Sequence, residues 1–531
     1  MKKGFLWALA LIMMLSVALA GCNSESGDGG GDGEEDGNEE QVLIFGRGGD
    51  SVALDPAIVT DGESFKVIKN IYDTLVEYGE QDTSINPSLA TEWKVSDDGL
   101  TYTFTLREGV KFHNGDPFNA DAVVKNFERW MTSGDAGKFA YYASMFGGFK
   151  GDEGHVIKSV EAKDEHTVVF TLNRPQAPFL KNLAMTPFSI GAPSEFENLA
   201  TEPVGTGPFV FEDWKRKDRI TIVKNEDYWK EGLPKLDKVI FRAIPDNSNR
   251  LNALKAGEIH LMDGVEPNDV AEIEKVDELQ TFFRPSMNVG YLGFNTEKEP
   301  FTNKKVRQAL NHAVDKEALI KAFYAGQAVP AKNAMPPVIA GYNDEVEAYE
   351  FDLEKAKALL AEAGYPDGFK TQLWAMPVPR PYMPNGKKIA EAIASNFAKI
   401  GVEAEIVTYE WATYLEKAQA GEAPMFLLGW TGDNGDADNF LYTLLDKDTI
   451  DSNNYARFAN DELHDILIEA QSTPDEAKRA ELYKEAQVII HEEAPWVPLV
   501  HSEPALAGLA NVKGFKPHPT GSDKLTNVYF E

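Results

Sequence analysis

Cysteine is nearly absent from this chain: Cys22 is the only one in 531 residues. A single thiol excludes an internal disulfide and a cysteine-built zinc site in any compartment. Positive charge is also scarce, with 52 Lys and Arg against 85 Asp and Glu and a formal net charge of −33. Because the favourable term in nucleic-acid binding comes from Lys and Arg, this balance argues against DNA, RNA and anionic membrane surfaces as partners of the folded body. The nine histidines stand at positions 113, 155, 166, 260, 312, 464, 491, 501 and 518, and no pair is spaced i, i+4 on a helix. A local metal site is therefore not expected, while ligands converging from separate segments stay open. The chain lacks Gly-x-Ser-x-Gly, a Walker loop and His-Glu-x-x-His; His491 is followed by Glu492-Glu493-Ala494-Pro495, without a second ligand. What remains is an apolar content of 43% and an aromatic content of 11%, as in globular proteins, in a chain long enough for about three domains or two large lobes.

Long apolar runs are missing except at the start, where Lys2 and Lys3 precede Phe5 to Ala20. That run is shorter than the roughly 20 residues a spanning helix needs and has the form of a secretory signal. The only cysteine follows at once, in Leu19-Ala20-Gly21-Cys22. This stretch resembles the lipobox of bacterial lipoproteins, which implies removal of residues 1–21 and diacylation of Cys22. Two acyl chains suffice for stable anchoring without spanning. From Asn23 to Glu40 every residue is Asn, Ser, Glu, Gly or Asp, eight of the eighteen being acidic, so residues 22–40 are expected to form a disordered acidic tether. Its root-mean-square span would be about 23 Å. A merely solubilising spacer would have the same composition.

After Gln41 the pattern becomes mixed α/β. Val42-Leu43-Ile44-Phe45 predicts a short buried strand, and Tyr102, Phe104 and Leu106 alternating with threonines predict a half-buried one. Val110 to His113 is expected as a further short strand between turn signals. Asn119 is an N-cap candidate for a helix burying Val123, Val124, Phe127 and Trp130. In the second half, helices are expected after the caps Asp315 and Asp352 and along the stripe Ile389, Ile393, Phe397 and Ile400, the last followed by a strand from Val402 to Tyr409. No low-complexity linker follows Glu40, so any two lobes must be joined by short, structured crossings.

Two local clusters invite functional readings and fail. Gly205-Thr206-Gly207-Pro208 leads into the strand-like Phe209-Val210-Phe211 and not into a helix N-terminus, so a turn is expected and not an anion site. Asp433-Asn434-Gly435-Asp436-Ala437-Asp438 looks like a calcium loop, yet neither register places Gly at the sixth and Glu at the twelfth position.

Three stretches, Pro87 to Trp93, Asp97 to Phe104 and Leu106 to His113, resemble the signature of the peptide- and nickel-type (family 5) solute-binding proteins of bacterial ABC importers. Further matches are Gly205 to Phe209, Asp227-Tyr228-Trp229 and Lys305 to Leu310, in order along the chain. The resemblance implies an α/β, two-lobed, Venus-flytrap fold closing on a ligand. The larger lobe, with an inserted subdomain, would take residues 41–286 and 503–531, and the second lobe residues 287–502. Leu373 to Tyr382 and Gly429 to Asp436 look most like the dipeptide-binding branch. By that likeness Arg380 would pair with a peptide carboxylate and Asp433 with its α-ammonium, and Thr60, Tyr382, Trp411, Trp430, Thr431 and Gly432 would complete the pocket. Pro379 stands where a polar residue is expected. The implied protein is a monomeric, non-enzymatic receptor on the outer face of the plasma membrane of a Gram-positive-type cell. Its expected partners are dipeptides and importer permease subunits, with no cofactor, no metal and no nucleic acid. Oligopeptides, glutathione, haem or nickel complexes are the alternative ligands, and an extracellular peptidase or a structural surface lipoprotein the alternative classes.

Overall fold

The computed structural model describes residues 40–531 except residue 451. The signal segment, Cys22 and nearly all of the expected tether lie outside the described residues. Among the described residues no helix is long and apolar enough to cross a membrane.

Val42–Arg47 is the strand its apolar run predicts, and it lies inside a seven-stranded mixed sheet. It pairs in parallel with Lys238–Ala243 on one side and Leu261–Met262 on the other, and Leu43 and Phe45 are fully buried. Beside this sheet stands a four-stranded antiparallel sheet in the order Ala90–Val95, Thr101–Leu106, Thr167–Leu172, Ile157–Asp164. Thr101–Leu106 buries Tyr102, Phe104 and Leu106 and leaves its threonines half-buried, as its alternation demands. Helix Ala120–Met131 covers this sheet with Val123, Phe127 and Trp130, and Asn119 caps it by accepting from the amide of Ala122 at 3.1 Å.

One expected strand does not form. Between Val110 and His113 there is only a single bridge, Lys111 to Pro117, because the turn at Asn114-Gly115 returns the chain after too few residues for a ladder. The Gly205–Pro208 turn is present, and Gly207 is small for a different reason than bending. A Cβ there would lie 2.5 Å from the carbonyl carbon of Ile71, so the segment packs directly on the end of helix Gly62–Ile71.

A six-stranded sheet organises the second half, in the order Ala328–Pro330, Trp496–Ser502, Asn288–Phe294, Met425–Thr431, Lys370–Trp374, Glu403–Val407. Lys370–Trp374, helix Gly386–Ala398 and Glu403–Val407 make a parallel crossover whose helix buries Ile389, Ile393 and Phe397. Asp315 and Asp352 cap helices Lys316–Phe323 and Leu353–Glu362, as expected.

Between the seven- and six-stranded sheets the chain passes twice, at residues 284–287 and 503–504. The crossings lie side by side: the Arg284 amide donates to the Pro504 carbonyl at 3.0 Å, and Asn288 and Ser502 exchange two hydrogen bonds of 3.0 Å. The Arg284 guanidinium forks onto buried Asp523 at 2.6 and 2.8 Å, fixing one crossing to the C-terminal segment. Two short, hydrogen-bonded crossings joining two sheets are the form a hinge takes.

Candidate functional site

Strands Asn288–Phe294 and Met425–Thr431 are antiparallel neighbours with Gly290 opposite Gly429. A Cβ at Gly290 would lie 2.4 Å from the Tyr382 carbonyl oxygen, and one at Gly429 would lie 2.3 Å from the Tyr382 ring. The paired glycines make a seat in the sheet surface, and the 380–383 segment rests in it. The Tyr324 hydroxyl donates to the same Tyr382 carbonyl at 2.8 Å. Arg380 and Met383 exchange backbone hydrogen bonds of 3.1 and 2.8 Å, so the intervening Pro381-Tyr382 is held as a closed turn.

From that turn the Arg380 side chain projects into solvent. Its guanidinium carbon lies 6.0 Å from the centroid of the Trp411 ring, and Nη1 donates to the Pro379 carbonyl at 3.2 Å. It makes no ion pair among the described residues. Trp411 begins helix Trp411–Gln419 and stacks at 5.9 Å on Tyr414. Burial raises the Tyr382 phenol above its ordinary range, while the positive charge of Arg380 opposes the shift.

A second group gathers just beyond Gly429, at the C-terminal end of strand Met425–Thr431. Asn439, near the start of helix Asp438–Leu445, accepts from Trp430 Nε1 at 3.0 Å and from the Asp433 amide at 2.9 Å, and its Nδ2 donates to Asp433 Oδ2 at 3.3 Å. One amide thus orients both Trp430 and Asp433. These residues line a cavity of about 300 Å³ whose opposite wall carries Arg174, Gln176 and Asn182 from the first half of the chain. Burial raises the Asp433 carboxyl above its ordinary value, and the Asn439 hydrogen bond only partly offsets this. No cation pairs with Asp433 among the described residues. Asp438, on the same wall, accepts from Gln471 at 2.9 Å and is raised to about 7 by burial and by the neighbouring charge of Asp436.

The remaining acid of the cluster has a different task. Asp436 is buried, and Arg479 of helix Glu476–Glu493 forks onto it, with Nη1 to Oδ2 at 2.8 Å. The residues between reach across to the larger lobe: Asn434 Nδ2 donates to Asn182 Oδ1 at 2.8 Å, and the Thr83 hydroxyl donates to the Gly435 carbonyl at 2.9 Å. What looks like a calcium loop in sequence is a hydrogen-bonded lobe contact anchored by one buried ion pair.

The candidate residues therefore fall into two groups, Arg380, Tyr382 and Trp411 in one and Trp430 and Asp433 in the other, bridged where Tyr382 lies over Gly429. Thr431 is exposed opposite Asn288, and the Gly432 amide donates to the Met287 carbonyl at 2.9 Å beside the crossing. Thr60 is exposed in the segment ahead of Asp61, the N-cap of helix Gly62–Ile71, and shares no hydrogen bond with the others among the described residues. Sequence reasoning missed Asn439 and Arg174: Asn439 holds Trp430 and Asp433, nine and six residues earlier, through a side chain that no motif marks, and Arg174 reaches the cavity from a segment more than 250 residues before Asp433. The convergence left open for metal ligands occurs once among the described residues, at Asp446, Asp448 and His464. There Asp446 Oδ1 accepts from the Asp448 amide at 2.8 Å and Oδ2 lies 3.0 Å from His464 Nδ1, hydrogen bonds that close a helix end.

Two large sheets joined by two short crossings, with a polar cavity lined from both halves of the chain, have the architecture of a ligand-enclosing binding protein. The profile of bacterial extracellular solute-binding proteins, family 5, matches residues 84–452, and the chain belongs to this family, whose members are transport receptors and not enzymes. It is 41% identical over 540 residues to heme-binding protein A of Haemophilus influenzae, covering 97% of each chain. It is 40% identical over 517 residues to the dipeptide-binding protein of Escherichia coli, covering 93% of this chain and 95% of that one. Among solved structures, HbpA2 of Haemophilus parasuis superposes with a TM-score of 0.87 at 37% identity, covering 92% of this chain and all of the other.

Proposed function

We propose that this chain is a lipid-anchored receptor that captures dipeptides between its lobes and delivers them to an ABC importer. The observation that carries the proposal is a pair of unmatched opposite charges on the second lobe: Asp433, facing the cavity without a cation, and Arg380, held on a rigid turn without a carboxylate. A dipeptide at neutral pH is a zwitterion, and closing the lobes over it strips water from both ends. Asp433 supplies the counter-charge for the α-ammonium, and the planar fork of Arg380 meets the terminal carboxylate through two parallel hydrogen bonds. The Arg380-to-Asp433 span then measures ligand length. An added residue displaces one terminus by roughly 3.5 Å and leaves a buried charge unpaired. Trp411 and Trp430 provide walls that accept varied side chains with the help of ordered water. Anchoring rests on Leu19-Ala20-Gly21-Cys22 and keeps the receptor beside the permease.

Haem is the second reading, favoured by the 41% identity to a protein named for it. The cavity lining speaks for the smaller polar ligand: beside Met145 and Tyr442, the only side chains in it of the kinds that ligate haem iron, it carries Arg174, Gln176, Asn182, Asp433 and Asp438. Tryptophan-fluorescence titration with dipeptides, tripeptides and haemin separates the readings. Saturable binding of dipeptides in clear preference to the other two is expected, and equal affinity for all three defeats the assignment. Mass spectrometry of ligand co-purified with the protein gives the side-chain preference.

A further inference from the structure

A second cavity of about 300 Å³ lies within the larger lobe and shares no lining residue with the first. Its walls are the last turn of helix Gly62–Ile71, the strand Val76–Tyr78 and the C-terminal segment 514–527. Four lysines, Lys69, Lys230, Lys516 and Lys524, line it. Three are matched: Lys230 donates to Glu77 at 2.8 Å, Lys524 donates to the other oxygen of Glu77, and Lys516 donates to Glu80 at 2.6 Å. Burial alone would raise the Glu77 carboxyl, but Lys524 and Lys230 overcome it and hold the group down to about 2. Asp73 lies 3.8 Å from Lys524. Four ammonium groups against these three carboxylates leave one positive charge, and it resides on Lys69.

Lys69 makes no hydrogen bond and no ion pair among the described residues. Burial, with the neighbouring charge of Lys524, lowers its ammonium to about 8. The same cavity holds a second unmet donor. Thr526 is 5% exposed, and its hydroxyl has no hydrogen-bond partner among the described residues. Water could satisfy the hydroxyl, but it leaves the lysine charge uncompensated. An anion with two or more oxygens answers both, and the local field of the lysines outweighs the distant acidity of the chain because solvent screens the latter.

We propose that this cavity binds a small oxyanion, phosphate or carboxylate, whose oxygens accept from Lys69 Nζ and Thr526 Oγ1. Calorimetric titration of the full chain with inorganic phosphate and, separately, with acetate tests it and distinguishes the two chemistries. Saturable binding of at least one, with Kd on the order of a millimolar or tighter, is expected. Lys69→Met should weaken that binding by about tenfold or more, as loss of a charge-assisted contact does. Thr526→Val, nearly isosteric and neutral, should weaken it less and serves as the deciding variant if Lys69→Met fails to fold. Dipeptide titration of both variants should match the parent, since neither residue lines the inter-lobe cavity. Absence of saturable binding of both anions, or unchanged anion affinity in the folded variants, overturns the proposal.

Discussion

Asp433 and Asp436 stand three residues apart in one loop and have opposite electrostatic fates. Asp436 is buried and matched, with the Arg479 fork on its carboxylate and the Asp438 amide donating to Oδ1 at 3.0 Å. Asp433 is oriented by Asn439 but faces the cavity without a counter-charge. A structural acid has its partner inside the fold, whereas under the proposed function the partner of Asp433 comes with the ligand. The same contrast separates Arg479, embedded on Asp436, from Arg380, rigidly based and exposed.

The largest expected effect comes from breaking the matched pair. Asp436→Ala leaves Arg479 buried without its counter-charge and should cost about 3–5 kcal/mol of stability in urea denaturation. The same experiment on Asp433→Asn should show no loss, while dipeptide affinity falls by about a hundredfold or more as the ligand ammonium is left unpaired. Equal destabilisation by the two substitutions would erase the contrast.

Arg380→Ala should likewise weaken dipeptide binding by about thirtyfold or more, with the unfolding midpoint unchanged because the side chain is exposed. Next in size, Asn439→Ala frees Trp430 and Asp433 without removing a charge. It should reduce affinity by about tenfold, read by calorimetry, through loss of two orienting hydrogen bonds.

The last expected effect is one of pH. Asp438 holds its proton up to about pH 7 in the folded state, above the ordinary 3.8. The native state therefore binds more protons than the unfolded chain between those values, and stability falls as pH rises from about 4 through 7. Asp438→Asn should flatten that fall, so the variant gains on the parent progressively as pH rises through the window.

Much of the fold was legible because its signals are local. Asn119, Asp315 and Asp352 accept amide hydrogen bonds within three residues, and the alternation of Thr101–Leu106 reports a sheet face directly. The parallel pairing of Val42–Arg47 with Lys238–Ala243 was not legible, since nearly two hundred residues separate partners whose apolar runs carry no address. The candidate site divides in the same way. Arg380 and Asp433 stand in motifs recognisable by resemblance, whereas the seat made by Gly290 and Gly429 emerges only from strand register. Likewise, the acids between 433 and 438 look equivalent in sequence because Arg479, which distinguishes Asp436, lies 43 positions further on.

The central claim is that Asp433 awaits the ammonium of a dipeptide, and a double cycle of protein and ligand tests it most directly. Calorimetric affinities are measured for one dipeptide and its N-acetylated form, each against the parent and Asp433→Asn. Acetylation removes the ligand charge and the substitution removes its partner, so the two losses should overlap, with a coupling of about 1.5 kcal/mol or more. Strictly additive losses, or an acetylated dipeptide bound as tightly as the free one by the parent protein, would contradict the account.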